Sequence, residues 1–421
     1  MNSKILFTCM LFFAISCRIL VSMFAIRNFA IGATLIVIAQ YLCMLFAVIY
    51  CFQHPREFKI NKHTKYLLFL FLIYSIYCFV YAFVDLKVPS RQFSKVPDNP
   101  TEMIRGTLSI GIMMALACMY RGKVLLELFS KLSVILIVLS LLIYFSSVDY
   151  MAYAYLKTLN RQASESYMAS TNILSGLTLG GYIGTAYICN LWLIDKWTKY
   201  RLANWIIFII VALYLLFVLL VVGERGPVLF TIITSVWFFL VRSNKNGRKS
   251  MIFILLTILF VFMGDYIIYM VSMFAPHIID RFLSISDDMG SGRMGENSVY
   301  AETIDMILEN PLFGNYFRLT SSNYQGIYPH NILLEFLVTF GFFFSIPLFL
   351  LMARAIKNAY FAISNKEPMA LFALLFFHTF CCLMTSDTVL LETKFWTMFA
   401  VALSISPKRK KDESPRKYYN Y

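Results

Sequence analysis

Residues 203–241 read ANWIIFIIVALYLLFVLLVVGERGPVLFTIITSVWFFLV, two apolar runs parted by Gly223-Glu224-Arg225-Gly226-Pro227. A helix needs about 20 predominantly apolar residues to cross a bilayer, so the first run is one span and the second begins a return. Pro227 falls near the first turn of the second run, where its missing N–H removes no helical hydrogen bond. The five-residue break is therefore a tight turn at a membrane boundary. The rest of the chain repeats this alternation of apolar run and short polar break.

On the same criterion spans fall at 5–26, 29–52, 66–84, 104–120, 131–148, 173–194, 203–222, 226–241, 251–275, 331–352, 368–386 and a short one at 394–406. The composition agrees: 59% hydrophobic against 14% charged over 421 residues excludes an ordinary soluble domain. The expected fold class is an all-α polytopic membrane protein with about 12 transmembrane helices and one large extracytoplasmic loop containing short helices. Residues 1–275 form a first membrane region, 276–330 the large loop, 331–406 a second membrane region and 407–421 a basic tail. The apolar run from Ile5 lacks a small-residue cleavage site and reads as a first span, not a cleaved signal. The cysteines lie in or at the ends of apolar runs, which suggests neither a disulfide framework nor a zinc site.

Basic residues collect in alternate loops: Arg56 to Lys65, Arg121 to Lys131, Lys196 to Arg201, Arg242 to Lys249, Arg354 to Lys366, and the tail from Lys408. The positive-inside rule makes those loops and both termini cytoplasmic. The net charge of +14 is then a topology signal spread over every inner loop, and it argues against nucleic acid as a partner. The loop over 276–330 faces outward, where no nucleotide is supplied, and the chain has no phosphate-cradling Gly-x-x-x-x-Gly-Lys-Ser/Thr loop. A group transferred there must come from a donor already activated in the membrane.

Outer-face arginines run against that charge bias. Arg225, Arg161, Arg281 and Arg293 suit a phosphate-bearing lipid, because guanidinium binds phosphate bidentately. Pairing with outer carboxylates or snorkelling to headgroups is the alternative for any one of them. Residues 297–310 alternate apolar and acidic positions in a pattern that predicts a helix lying on the membrane surface, ended by Asn310-Pro311. Tyr328-Pro329-His330-Asn331 leads directly into the next span. His330 thus sits at the membrane edge as a candidate proton acceptor, with Asn331 or Glu335 placed to fix its tautomer. Gly176, Gly180 and Gly184 predict close approach of another helix, and the 40 Phe and 26 Tyr predict lipid contact and interfacial belts. Arg18, Asp265, Asp387 and the remaining histidines read as structural.

The order Gly223-Glu224-Arg225-Gly226-Pro227, Ser291-Gly292-Arg293, Asn310-Pro311-Leu312-Phe313-Gly314 and His330-Asn331-x-x-Leu334-Glu335 followed by Gly341 resembles the O-antigen polymerase and O-antigen ligase superfamily of bacterial membrane glycosyltransferases. The resemblance covers roughly residues 160 to 345. It departs at Glu224, where relatives often carry serine. It implies transfer of an oligosaccharide from undecaprenyl pyrophosphate on the periplasmic face of the inner membrane, without cofactor or obligatory metal. His330, Arg225 and Arg293 would be catalytic, and Arg281, Arg161, Asn331 and Glu335 would bind substrate. The implied partners are the undecaprenyl-pyrophosphate-linked oligosaccharide and membrane lipid, with a chain-length regulator protein left open. The polymerase branch, with a second lipid-linked unit as acceptor, is preferred. A ligase acting on lipid A core and a flippase for lipid-linked sugars are the competing readings.

Overall fold

The computed structural model describes residues 3–26, 30–55, 60–84, 100–119, 126–146, 176–197, 202–222, 225–243, 298–314, 319, 328–365, 367, 369–385, 388–389 and 392–405. Among these there are helices and no strand. In chain order they are α1 (Ser3–Ile26), α2 (Ala30–Gln53), α3 (Lys62–Val84), α4 (Pro100–Met119), α5 (Leu126–Ser146), α6 (Gly176–Trp197), α7 (Leu202–Val222), α8 (Arg225–Ser243), α9 (Val299–Glu309), α10 (Ile332–Ser364), α11 (Ala370–Leu383) and α12 (Thr393–Ser404). Segments of four, in α1, α2, α3 and α10, are long and apolar enough to cross a membrane. The expected surface helix is α9, whose N-cap Ser298 accepts a hydrogen bond from the Ala301 N–H. The expected span 251–275 and the tail 407–421 lie outside the described residues.

Two elements differ from the sequence reading. The span expected over 331–352 continues to Ser364, so Arg354 and Lys357 lie on a helix and not in a loop. Mean hydropathy falls at Arg354, but a buried stripe continues through Ala355, Ala359, Ala362 and Ile363. A 3.6-residue period outlasts the apolar run.

The other is α12, the short last span. Every residue from Phe395 to Ser404 is buried, because α1, α3, α4, α10 and α11 all pack against it. An apolar helix enclosed on all sides is a core element of the bundle. Its last carbonyls are taken from two directions: Asn358 Nδ2 donates to Ala402 O at 3.1 Å and Asn61 Nδ2 to Leu403 O at 3.0 Å.

Around α12 the aromatics gather. Trp396 packs edge-on against Phe71 and Phe336, with ring centroids 4.9 and 5.9 Å apart, while Phe376 stacks on Phe399 at 5.3 Å. These rings and Tyr74 are almost wholly buried. The aromatic abundance therefore serves the interior as well as the lipid contact expected of it. Gly184 meets its expectation: a Cβ there would fall 2.7 Å from Thr231 Oγ1 and 3.1 Å from His378 Nε2. Only a bare α-carbon lets α6 lie so close to α8 and α11.

Candidate functional site

The start of α10 is built from Tyr328-Pro329-His330-Asn331. His330 adopts φ +56°, a left-handed conformation uncommon outside glycine and found disproportionately at functional positions. Its ring, half-buried, lies 4.2 Å from that of the buried Tyr328. Asn331 is the N-cap. Its Oδ1 accepts from the N–H groups of Leu333 and Leu334 at 3.0 and 3.2 Å, and its Nδ2 donates to Met384 O at 3.0 Å.

One turn on, Glu335 is 2% exposed. One carboxylate oxygen accepts from the Thr388 hydroxyl and the other from the Val389 N–H at 3.0 Å. Val389 O in turn accepts from Trp396 Nε1 at 3.0 Å. The described residues between α11 and α12 are thus a strap tied to the start of α10 by Asn331 and Glu335. These bonds explain how a carboxylate is tolerated among apolar helices. They give both residues an anchoring role.

Glu335→Ala leaves two buried donors without an acceptor and is expected to lower stability by roughly 2–4 kcal/mol. In Glu335→Gln the amide oxygen can face Val389 N–H while the amide nitrogen donates to the Thr388 hydroxyl, so about 1 kcal/mol is expected. Thermal melts of the two purified variants check this. Equal losses would mean that the charge, not the bonding pattern, holds the strap.

The first half of α10 ends at a break. Gly341 has φ +62° and ψ −173°, a conformation open essentially to glycine alone. The turn Asn310-Pro311-Leu312-Phe313-Gly314 lies in the gap. Pro311 O accepts from Phe342 N–H at 2.7 Å and Leu312 O from Phe343 N–H at 3.1 Å. Those two N–H groups have lost their helical acceptors at the break, so the turn caps the second half of α10. Ser345 Oγ reaches back to donate to Phe336 O at 2.8 Å. Just ahead of the turn, α9 lays Val299, Met306 and Ile307 against Val338, Leu334 and Leu337. The turn, α9 and α10 are therefore one docked unit, with His330 just ahead of the start of α10.

Arg225 opens α8 as the break predicts, and Pro227 sits buried in the first turn. The Arg225 side chain lies outside the described part, as do Arg161, Arg281 and Arg293 altogether. His330, Asn331 and Glu335 are brought together at the start of α10.

The sequence reading passed over the far end of the strap. Glu392 pairs with Arg18 of α1, Nη1 to Oε2 2.7 Å, and both line a cavity of about 460 Å³ with Lys394. Arg18 has the structural partner expected of it. Lys394 carried a signal that went unused: a lysine at the head of an apolar run. No family model, curated protein or solved structure matches the chain.

Proposed function

We propose that the protein is a membrane glycosyltransferase of the inner membrane. In this reading it polymerises undecaprenyl-pyrophosphate-linked repeat units of O-antigen or a similar surface polysaccharide on the periplasmic face. The chain crosses the membrane about twelve times with both termini cytoplasmic, and the loop over 276–330 carries the chemistry outside. What supports the reading most is the docked unit just described. The Asn310–Gly314 turn docks into the Gly341 break of α10, the same helix whose start carries His330 in an uncommon conformation.

In this mechanism His330 accepts the proton of the attacking sugar hydroxyl. Arg225 and Arg293, with Arg281 and Arg161 in support, hold the pyrophosphate and stabilise the charge that grows as the C1–oxygen bond breaks. The leaving group is already activated, so positioning and electrostatics supply most of the acceleration. Arg225→Lys keeps the charge but loses the bidentate fork, and a roughly tenfold lower rate is expected.

Deletion in the native host followed by a gel of surface glycolipid tests the activity. A single repeat unit on core with the ladder gone fits a polymerase. Core lacking any repeat unit, with lipid-linked polymer accumulating, identifies a ligase instead. Reconstitution with a lipid-linked repeat unit separates the third reading, because a flippase moves the unit without lengthening the glycan.

A further inference from the structure

The cavity between α1, α6, α8, α11 and α12 has a charge imbalance. Arg18 meets Glu392, but Lys394 has no carboxylate within salt-bridge distance among the described residues. Its Nζ donates to Thr185 Oγ1 at 3.0 Å, and the Thr185 hydroxyl is itself committed to Gly181 O at 2.8 Å. That orientation turns the oxygen lone pairs of Thr185 toward the ammonium. Two of the three N–H donors of Lys394 therefore have no partner among the described residues. An ammonium in a bundle of apolar helices is costly unless it faces an anion or a wet cavity.

We propose that this cavity binds a phosphate group carried on a lipid, with Lys394 and Arg18 as its cationic ligands. A phosphate offers enough oxygens to take the remaining donors of Lys394 and to share the five-donor fork of Arg18 with Glu392. The first turn of α8, through Pro227, forms a further wall and presents the positive end of that helix. The volume lies within the range of small-molecule sites.

The geometry favours a lipid over a free ion. The Arg18 side chain is 50% exposed and marks the mouth, on a helix apolar enough to cross a membrane. Phe13 and Ile19 continue the lining along α1, so an acyl or prenyl chain has an apolar path beside the headgroup. This deepens the proposed activity, whose donor is a lipid pyrophosphate, and it places a contact for that donor in α1 and α12, away from the outer-loop arginines. Gly181 matters here. A Cβ built on it meets nothing within 4 Å, so a side chain added there starts into open space and leaves every charge of the cavity in place.

The test titrates the purified full-length chain in detergent with dioleoyl phosphatidic acid by native mass spectrometry. Dioleoylglycerol serves as the tail-matched control and inorganic pyrophosphate as the tail-free one. Phosphatidic acid is expected to bind and dioleoylglycerol not. Lys394→Met should weaken binding by roughly tenfold or more, Lys394→Arg should retain it, and Gly181→Leu should weaken it with every charge in place. Pyrophosphate binding with the same Lys394 dependence supports the phosphate site but overturns its lipid source. If Lys394→Met does not fold, Gly181→Leu carries the comparison. The proposal is overturned if parent, Lys394→Met and Gly181→Leu bind phosphatidic acid alike, or if dioleoylglycerol binds as well. Binding is read without acceptor or transfer. A parent protein that binds phosphatidic acid but transfers no glycan counts against the glycosyl-transfer reading, and binding unaffected by these variants counts against the cavity alone.

Discussion

His330→Gly is expected to fold as well as the parent and to lose the proposed polymerisation by roughly 100-fold or more. The two effects separate because of the backbone at this position. A φ of +56° disfavours any L side chain and suits glycine. Relief of that strain offsets the greater freedom glycine gives the unfolded chain, so stability should stay within about 1 kcal/mol of the parent. His330→Asn is the companion variant, since asparagine tolerates the left-handed region and hydrogen-bonds but cannot take a proton near neutral pH. Reconstituted protein supplied with lipid-linked repeat units gives the readout as glycan length and amount, beside a thermal melt. Full-length glycan from a well-folded His330→Gly would reduce His330 to a turn residue and remove the base from the mechanism. Loss of activity in both variants, with melts unchanged, is the outcome that a purely structural histidine does not produce.

The helices of this protein were legible because a bilayer imposes a length and an apolarity that a sequence displays directly. The start of α8 at Arg225 and the helix α9 followed from local signals, a proline in a first turn and an amphipathic period ended by Asn310-Pro311. What local signals could not supply is partnership. The apolar run after Asn331 reads as continuous, yet it breaks at Gly341 because a turn 30 residues upstream supplies carbonyls to its freed N–H groups. Glu335 was legible as a residue needing a reason, whereas Thr388 and Val389 as that reason depend on how α11 returns. Nothing local to Lys394, beyond its place at the head of an apolar run, marks it out in the sequence. Its meaning rests on Arg18 holding the one described carboxylate of the cavity, a contact spanning most of the chain.

The second large effect is expected at Gly341. Gly341→Ala, the smallest change that adds a Cβ, should cost roughly 4 kcal/mol or more, enough to stop the protein accumulating in the membrane. Two independent penalties combine. The backbone at φ +62°, ψ −173° lies where L residues are essentially absent. The added Cβ also falls onto the backbone of Leu312 and Phe313, and backbone cannot step aside as a flexible side chain does. Gly314 is the reciprocal case: φ is +73°, and a Cβ there would meet Phe340 N at 2.6 Å and the Thr339 backbone. Each glycine is bare because the other segment's main chain occupies the space. Gly314→Ala should therefore fail in the same way, and the double variant should be little worse than either alone, since one docking is lost once. Gly181→Ala is the control, a glycine on α6 with open space around its Cβ position; it is expected to leave stability unchanged or slightly raised. Membrane abundance and melting of the purified variants distinguish these outcomes. A stable Gly341→Ala would mean that α10 runs unbroken through 341, and then neither the docked turn nor the placement of His330 that depends on it would stand.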